Sequence, residues 1–124
     1  MTFVYLNPNP VGRKTGDCVI RALAIAFNKN WDVVFDELVV MAKRMKCTPT
    51  SKEVYEEYLS GYPTMDVFYM KGKKRKRLQV KNVCCSKMCI ARVAGHLVAC
   101  KDNDYFDVFD SGEKCLYKIW RVEE

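Results

Sequence analysis

The 124-residue sequence contains no apolar run long enough to span a bilayer. Its first residues, "MTFVYLNPNP", lack the basic region and apolar core of a signal peptide. These absences predict a cytoplasmic protein that makes no contact with membranes. Because 49% of the residues are apolar and 29% are charged, the composition also excludes a disordered chain and predicts a globular protein, residues 1–124 forming a single domain.

The sequence contains only one histidine, His96. The seven cysteines are an odd number without an export signal, so we interpret them as free thiols. A zinc site would draw its ligands from His96, Cys84, Cys85, Cys89 and Cys100. The segment "CCSKMC" does not have the paired spacing of zinc ligands, and we therefore predict no metal site and no cofactor.

The first half of the sequence has helical periodicity. Apolar residues recur at helical spacing from position 18 to about 28, after Asp17 as a candidate N-cap. A second helix is predicted over 31–45, capped by Asn30, and a third begins at "TSKE", with a capping box from Thr50, and stops near position 61.

The second half is rich in short β-branched and aromatic runs, which predict strands at "MDVFYM", "CIARV", "HLVACK", "YFDVF" and "LYKIWRV". The segment 78–88 has no clear assignment, and residues 5–16 read as an ordered loop or extended arm. Helices followed by hairpin-linked strands predict an α+β fold, in which the cysteine-bearing first helix packs on a C-terminal antiparallel sheet.

Cys18 lies where the first helix begins, in "TGDCVIRALAIAF". A helix N-terminus stabilises a thiolate through its dipole and its unpaired backbone N–H groups. The same N–H groups can stabilise the oxyanion that forms when a thiolate attacks a carbonyl. Cys18 is therefore a candidate nucleophile, and His96 is the candidate general base.

An aspartate beside His96 would complete this arrangement by orienting the imidazole. If the "DND" turn is centred on Asn103, position 110 lies across from His96, so Asp110 is the first candidate. A turn shorter by one residue would place position 109 there, and Asp107 is the weaker candidate because it pairs nearer to position 99. The sequence leaves the choice between Asp107 and Asp110 open.

With "GHLVACKDNDYFDVFDSG" downstream, the sequence resembles the small papain-like cysteine peptidases of bacteriophage and bacterial genomes. The opening "YLNPNP" strengthens the resemblance. It implies a papain-like fold and a thiol hydrolase with Cys18, His96 and Asp110 as catalytic residues. It also implies a peptide or amide substrate, including a host protein, and the host-cell cytoplasm as the location of a phage-encoded member.

The sequence departs from that family in its oxyanion hole. Papain-like enzymes usually have a glutamine about six residues before the cysteine, whereas position 12 here is glycine and Gln79 is the only glutamine. Asn7 and Asn9 are the candidate replacements, together with the loop backbone. Papain-like enzymes often cover the catalytic histidine with an aromatic residue, and Trp120 is the candidate for that position.

The run "KGKKRKR", residues 71–77, holds six of the 21 basic residues. The rest of the chain is neutral, because its 15 basic residues equal its 15 acidic residues. The run reads either as a solvated hairpin loop or as a site for nucleic acid or an acidic partner. The residues of that site would be Lys73, Lys74, Arg75, Lys76 and Arg77. A non-catalytic binding protein that engages a host factor through this loop is the alternative to an enzyme.

Overall fold

The computed structural model describes residues 2–83 and 85–123, and within them the fold is α+β, as predicted. Its helices are α1 (Cys18–Phe27), α2 (Trp31–Met45) and α3 (Lys52–Tyr58). Its strands are β1 (Thr2–Tyr5), β2 (Phe68–Lys71), β3 (Lys74–Arg77), β4 (Cys89–Val93), β5 (His96–Lys101), β6 (Asp104–Asp107) and β7 (Lys118–Arg121). No helix among the described residues has both the length and the apolar character that crossing a membrane requires.

The helix starts lack the side-chain caps that the sequence suggests. Asp17 and Asn30 occupy the N-cap positions of α1 and α2, yet neither side chain accepts a capping hydrogen bond from the backbone of its helix. The N-cap of α3 is Ser51 rather than Thr50. The first two helices end at residues with left-handed backbone, Asn28 at φ 51° and Lys46 at φ 60°.

The main sheet is mixed rather than antiparallel, which corrects the predicted topology. Its strand order is β1-β6-β5-β4-β7, and β1 runs parallel to β6 while the other pairs are antiparallel. The backbone N–H of Thr2 donates to the Asn103 carbonyl and that of Leu6 donates to the Asp107 carbonyl. The N-terminal arm thus follows β6 as an edge strand before it turns toward α1.

The hairpin between β5 and β6 is tighter than a turn centred on Asn103 would make it. Lys101 pairs with Asp104, so the turn has only two residues, Asp102 and Asn103. Both have positive φ, 53° and 66°, as a type I′ turn requires. This register takes position 110 out of alignment with His96, and the prediction based on the longer turn is wrong.

The sheet has an apolar layer on each face. The three helices cover one face with a cluster that includes Leu23, Leu38, Val54, Ile90, Leu97 and Trp120. Val80, Val98, Leu116 and Ile119 belong to the cluster on the other face. The first helix packs against both β5 and α2. The start of α1 therefore lies beside the start of β5, where His96 is found.

Candidate active site

Cys18 lines a concave site between the start of α1 and the start of β5. It is the first residue of α1 and is half-buried. The cavity has a volume of about 520 Å³, and its lining includes Cys18, His96, Lys14, Lys52, Tyr55 and Phe109. The two residues that the sequence pairs as nucleophile and base thus face one cavity.

His96 is held between Cys18 and Asp107. Its Nε2 lies 2.5 Å from Asp107 Oδ2, and its ring also makes a hydrogen bond with the Cys18 side chain. Because Asp107 occupies Nε2, Nδ1 is the nitrogen left for the thiol. The Asp107 carboxylate is itself fixed, since it accepts the Val108 backbone N–H at 2.8 Å and the Ser111 hydroxyl at 3.1 Å. The result is a continuous hydrogen-bonded chain from carboxylate to imidazole to sulfur.

The charges of this chain stabilise one another. Burial opposes the charged form of His96, but hydrogen bonds to Asp107 and Cys18 outweigh it and raise the imidazole pKa to about 9. Burial likewise opposes the Cys18 thiolate, yet the pKa of the thiol is lowered by His96 and by a hydrogen bond from the Leu97 backbone. Both shifts favour a thiolate–imidazolium pair at neutral pH.

Asp110 does not reach His96. Its Oδ1 accepts the Tyr105 hydroxyl at 2.5 Å and the Gly112 backbone N–H at 2.9 Å, contacts that lower its pKa and hold the loop after β6. Asp107, the alternative that the sequence left open, takes the position beside the imidazole. The prediction that Asp110 lies beside His96 is therefore wrong, and the carboxylate that contacts the imidazole is that of Asp107.

The strand register explains why Asp107 can reach His96. Ala99 pairs with Phe106, so Asp107 continues opposite Val98, two positions from His96 on the same side of β5. Diagonal neighbours of this kind are within reach of one another on a sheet surface. Asp107 is the last residue of β6 and is buried.

Asn7 and Asn9 do not supply an oxyanion donor. The Asn7 amide donates to the Arg13 carbonyl at 3.1 Å, and the Asn9 amide donates to Asp17 Oδ2 at 2.8 Å. Neither residue lines the cavity at Cys18. Both amides fold the loop before α1, so the prediction of an oxyanion role for them is not supported by their contacts. The backbone N–H groups at the start of α1 remain as donors.

Asp17 is diverted from the helix start by three partners. Its carboxylate pairs with the Arg21 guanidinium and accepts the Asn9 amide and, at 3.0 Å, the Trp31 indole N–H. The pair with Arg21 neutralises the acid that would otherwise oppose a thiolate at Cys18. The diversion also leaves the first N–H groups of α1 without a side-chain cap.

Sequence reasoning missed two residues of the cavity. The ring of Phe109 lies 5.0 Å from that of His96, whereas Trp120 is buried beneath the helices and does not cover the imidazole. The buried Tyr55 also faces the cavity. Burial raises its pKa, and the charge of Cys18 contributes to the same shift. No spacing in the sequence distinguishes either residue from the other aromatic residues.

The cysteines of the zinc alternative do not assemble a metal site where the structure describes them. Residues 2–83 and 85–123 contain no group of three or more His, Cys, Asp or Glu side chains that could hold a metal ion. Cys84 lies outside the described residues. Cys100 is buried, and burial raises its pKa to about 12.

The single histidine allows the proposed charge state to be measured directly by NMR. We expect the His96 ring resonances to titrate near pH 9, so the imidazolium persists at pH 7 and is lost as the pH rises through 9. In Asp107→Asn the midpoint should move down toward the ordinary value near 6.5. A wild-type midpoint already near 6.5 would contradict the charged pair.

No family model matches the chain, and neither does any curated protein or solved structure. The geometry of the site is therefore the basis on which a function can be proposed.

Proposed function

We propose that this protein is a thiol hydrolase of papain-like type, in which Cys18 is the nucleophile, His96 the general acid and base, and Asp107 the orienting carboxylate. The observation that carries the proposal is the hydrogen-bonded chain Asp107–His96–Cys18, of which His96 and Cys18 line a cavity. A nucleophile, a base and an orienting group in mutual contact are the minimum that covalent acyl transfer requires.

Acylation follows from the positions of these groups. The Cys18 thiolate attacks the carbonyl carbon of an amide and forms a C–S bond, while the carbonyl π electrons move to oxygen. Backbone N–H groups at the start of α1 stabilise this oxyanion. The tetrahedral intermediate collapses, the C–N bond breaks, and the leaving amine takes the proton from the His96 imidazolium.

Deacylation uses the same residues in the reverse order. The neutral imidazole takes a proton from water, and the resulting hydroxide equivalent attacks the thioester carbonyl. The C–S bond breaks, the thiolate leaves, and the acid product is released. Asp107 stabilises the imidazolium in both steps and holds the ring so that the same nitrogen faces sulfur throughout.

The substrate class that we propose is a peptide or other amide, including a segment of a host protein. The cavity beside Cys18 has a volume of about 520 Å³, and Phe109 and Tyr55 give it apolar surface. The resemblance to papain-like peptidases supports the same class. Thioesters would react by the same steps with a thiol as the leaving group.

The first test of this proposal is the rate at which iodoacetamide labels Cys18 as a function of pH, followed by mass spectrometry of the folded protein. We expect rapid labelling at pH 7, because the pKa of the thiol is lowered by His96. In His96→Ala the rate at pH 7 should fall on the order of tenfold, since most of the thiolate is lost. Cys115, which is exposed, serves as the internal reference thiol.

A second measurement distinguishes a reactive thiol from a hydrolase. An activated aryl ester should acylate Cys18 and then turn over, with a burst of phenol followed by steady release. Cys18→Ala should abolish both phases. If Cys18 labels no faster than Cys115 at pH 7 and no thioester accumulates on it, the hydrolase proposal is wrong.

The alternative function, a binding protein that uses the basic run, keeps support from the charge distribution. All of the net charge of +6 is accounted for by residues 71–77, remote in sequence from Cys18. Loss of biological effect in Cys18→Ala would favour the enzyme. Loss on neutralising the basic run, with Cys18 intact, would favour the binding protein.

A further inference from the structure

The basic run forms a hairpin rather than an irregular loop. Strands β2 and β3 make a separate two-stranded sheet in which Lys71 pairs with Lys74. The two-residue turn between them begins with Gly72 at φ 64°, which suits the first position of a type II′ turn. Five of the six basic residues in the run are exposed. The charge is therefore displayed on a regular ribbon.

The two faces of this ribbon differ in what their side chains do. On one face the Arg75 guanidinium lies 3.6 Å from the Phe68 ring centroid, and Arg77 stacks on the same ring at 4.6 Å. Arg77 also donates to the Leu116 carbonyl at 2.8 Å and contacts Tyr117, which fixes the hairpin to the body of the protein. The two arginines of this face therefore contact other residues of the protein.

The opposite face carries Tyr69, Lys71, Lys74 and Lys76. We call these four residues the lysine face. Among the described residues, no carboxylate forms an ion pair with any basic side chain of the run. Lys71 and Lys74 lie directly opposite each other, and like charges in that position destabilise a sheet. The chain thus maintains a cationic surface whose repulsion an anionic ligand would relieve.

We propose that the lysine face binds the phosphate backbone of a nucleic acid duplex. Lys74 and Lys76 are two positions apart on β3, about 6.7 Å along the strand, and Lys71 is about 5 Å across from Lys74. A duplex presents a negative charge about every 3.4 Å along each strand, so it can place phosphates within reach of all three ammonium groups at once. Lys73, at the turn, adds a fourth contact.

The composition of the face favours a duplex over a single strand. Proteins that hold single strands stack successive bases on several aromatic side chains. Tyr69, 43% exposed, is the only aromatic residue on the lysine face. A two-stranded ribbon also has the dimensions that the major groove accepts. Lysines supply point charges without the fixed fork of arginine, which suits binding without sequence preference.

The test is the affinity of the wild-type protein for a short DNA duplex of mixed sequence, measured by fluorescence anisotropy over a range of salt concentrations. Four phosphate contacts predict a slope of log K against log salt of about −3.6. That slope corresponds to a loss of about 100-fold in affinity between 50 and 200 mM salt. A slope near zero, or no binding at 50 mM salt, would overturn the proposal.

The variant Lys71→Gln/Lys74→Gln/Lys76→Gln should bind at least tenfold more weakly at 50 mM salt, and its slope should shrink to about −1. The matched control removes three basic residues on α2 and just after it, in Lys43→Gln/Arg44→Gln/Lys46→Gln, and should retain most of the affinity. If both variants lost the same affinity for the duplex, binding would depend only on the net charge of the protein. The assignment of the lysine face as the binding site would then be wrong.

Competition separates a nucleic acid from an acidic protein. Unlabelled duplex should displace the probe far better than poly-glutamate of equal total charge. If the two competitors act equally, the lysine face is a general site for polyanions and the assignment to nucleic acid is wrong. None of these readouts depends on Cys18, so the outcome is independent of the proposed hydrolase activity.

Discussion

Replacing Asp17 with alanine is expected to lower the free energy of unfolding by about 3 to 5 kcal/mol. Asp17 and Arg21 are both buried, with side chains 6% and 5% exposed, and they pair with each other. Removing the carboxylate leaves the Arg21 guanidinium charged and buried without its counter-ion. The Asn9 amide and the Trp31 indole N–H lose their acceptor in the same step.

Urea denaturation followed by circular dichroism would measure this loss. Asp36→Ala, which removes an exposed aspartate from α2, is the matched control and should change stability by less than about 0.5 kcal/mol. Adding Arg21→Met to Asp17→Ala should recover part of the loss, because the uncompensated charge is then gone. A loss under about 1 kcal/mol in Asp17→Ala would show that the buried pair does not hold the helix start.

Asp107→Asn is expected to lower hydrolytic turnover by about two to four orders of magnitude. The amide keeps roughly the size of the carboxylate but carries no charge, so the imidazolium loses its stabilising partner. Nε2 of His96 also faces a group that can present either an oxygen or an NH₂. The thiolate fraction at Cys18 should fall with the imidazolium, and its labelling at pH 7 should slow accordingly.

Asp110→Asn is the matched control for this experiment, because it makes the same chemical change three residues along the chain. Its carboxylate contacts Tyr105 and Gly112 rather than His96. We expect the turnover and the Cys18 labelling rate of this variant to equal those of the wild-type protein, with only a modest change in stability. If Asp110→Asn impaired the reaction more than Asp107→Asn, the assignment of the orienting residue would have to be reversed.

The helices of this fold follow from the sequence because their apolar residues recur at the period of one helical face. The predicted range 31–45 coincides with α2, and α1 ends within one residue of its predicted end. Strand β5 also has the bounds of "HLVACK". Local periodicity is sufficient for such elements, since each is defined by which of its own residues are buried.

The parts that the sequence did not determine depend on pairing between distant segments. A single residue in the length of the β5–β6 turn decides whether position 110 or position 109 lies across from His96, and the diagonal reach of Asp107 depends on the same register. The parallel pairing of β1 with β6 joins residues about 100 positions apart. No local signal in "TFVY" specifies that partner or its direction.

Side-chain partners were harder still to predict. Asn7 and Asn9 carry amide N–H groups that could donate to an oxyanion, but asparagine amides readily form local hydrogen bonds. Here both amides donate to residues of the loop before α1. Asp17 has the position and the residue type of a cap, yet three side-chain donors occupy its oxygens. Which donors Asp17 accepts depends on where Arg21 and Trp31 lie after packing, and the sequence pattern does not contain that information.

The bond from Trp31 to Asp17 ties the start of the second helix to the start of the first. Trp31 begins α2 and stacks on Phe35 with ring centroids 5.3 Å apart, so its indole is held by packing while its N–H holds the acid. Phenylalanine would preserve the stack and lose the donor, and no other aromatic side chain places an N–H at that point. Position 31 therefore needs both a ring and an N–H donor, whereas position 35 needs only a ring.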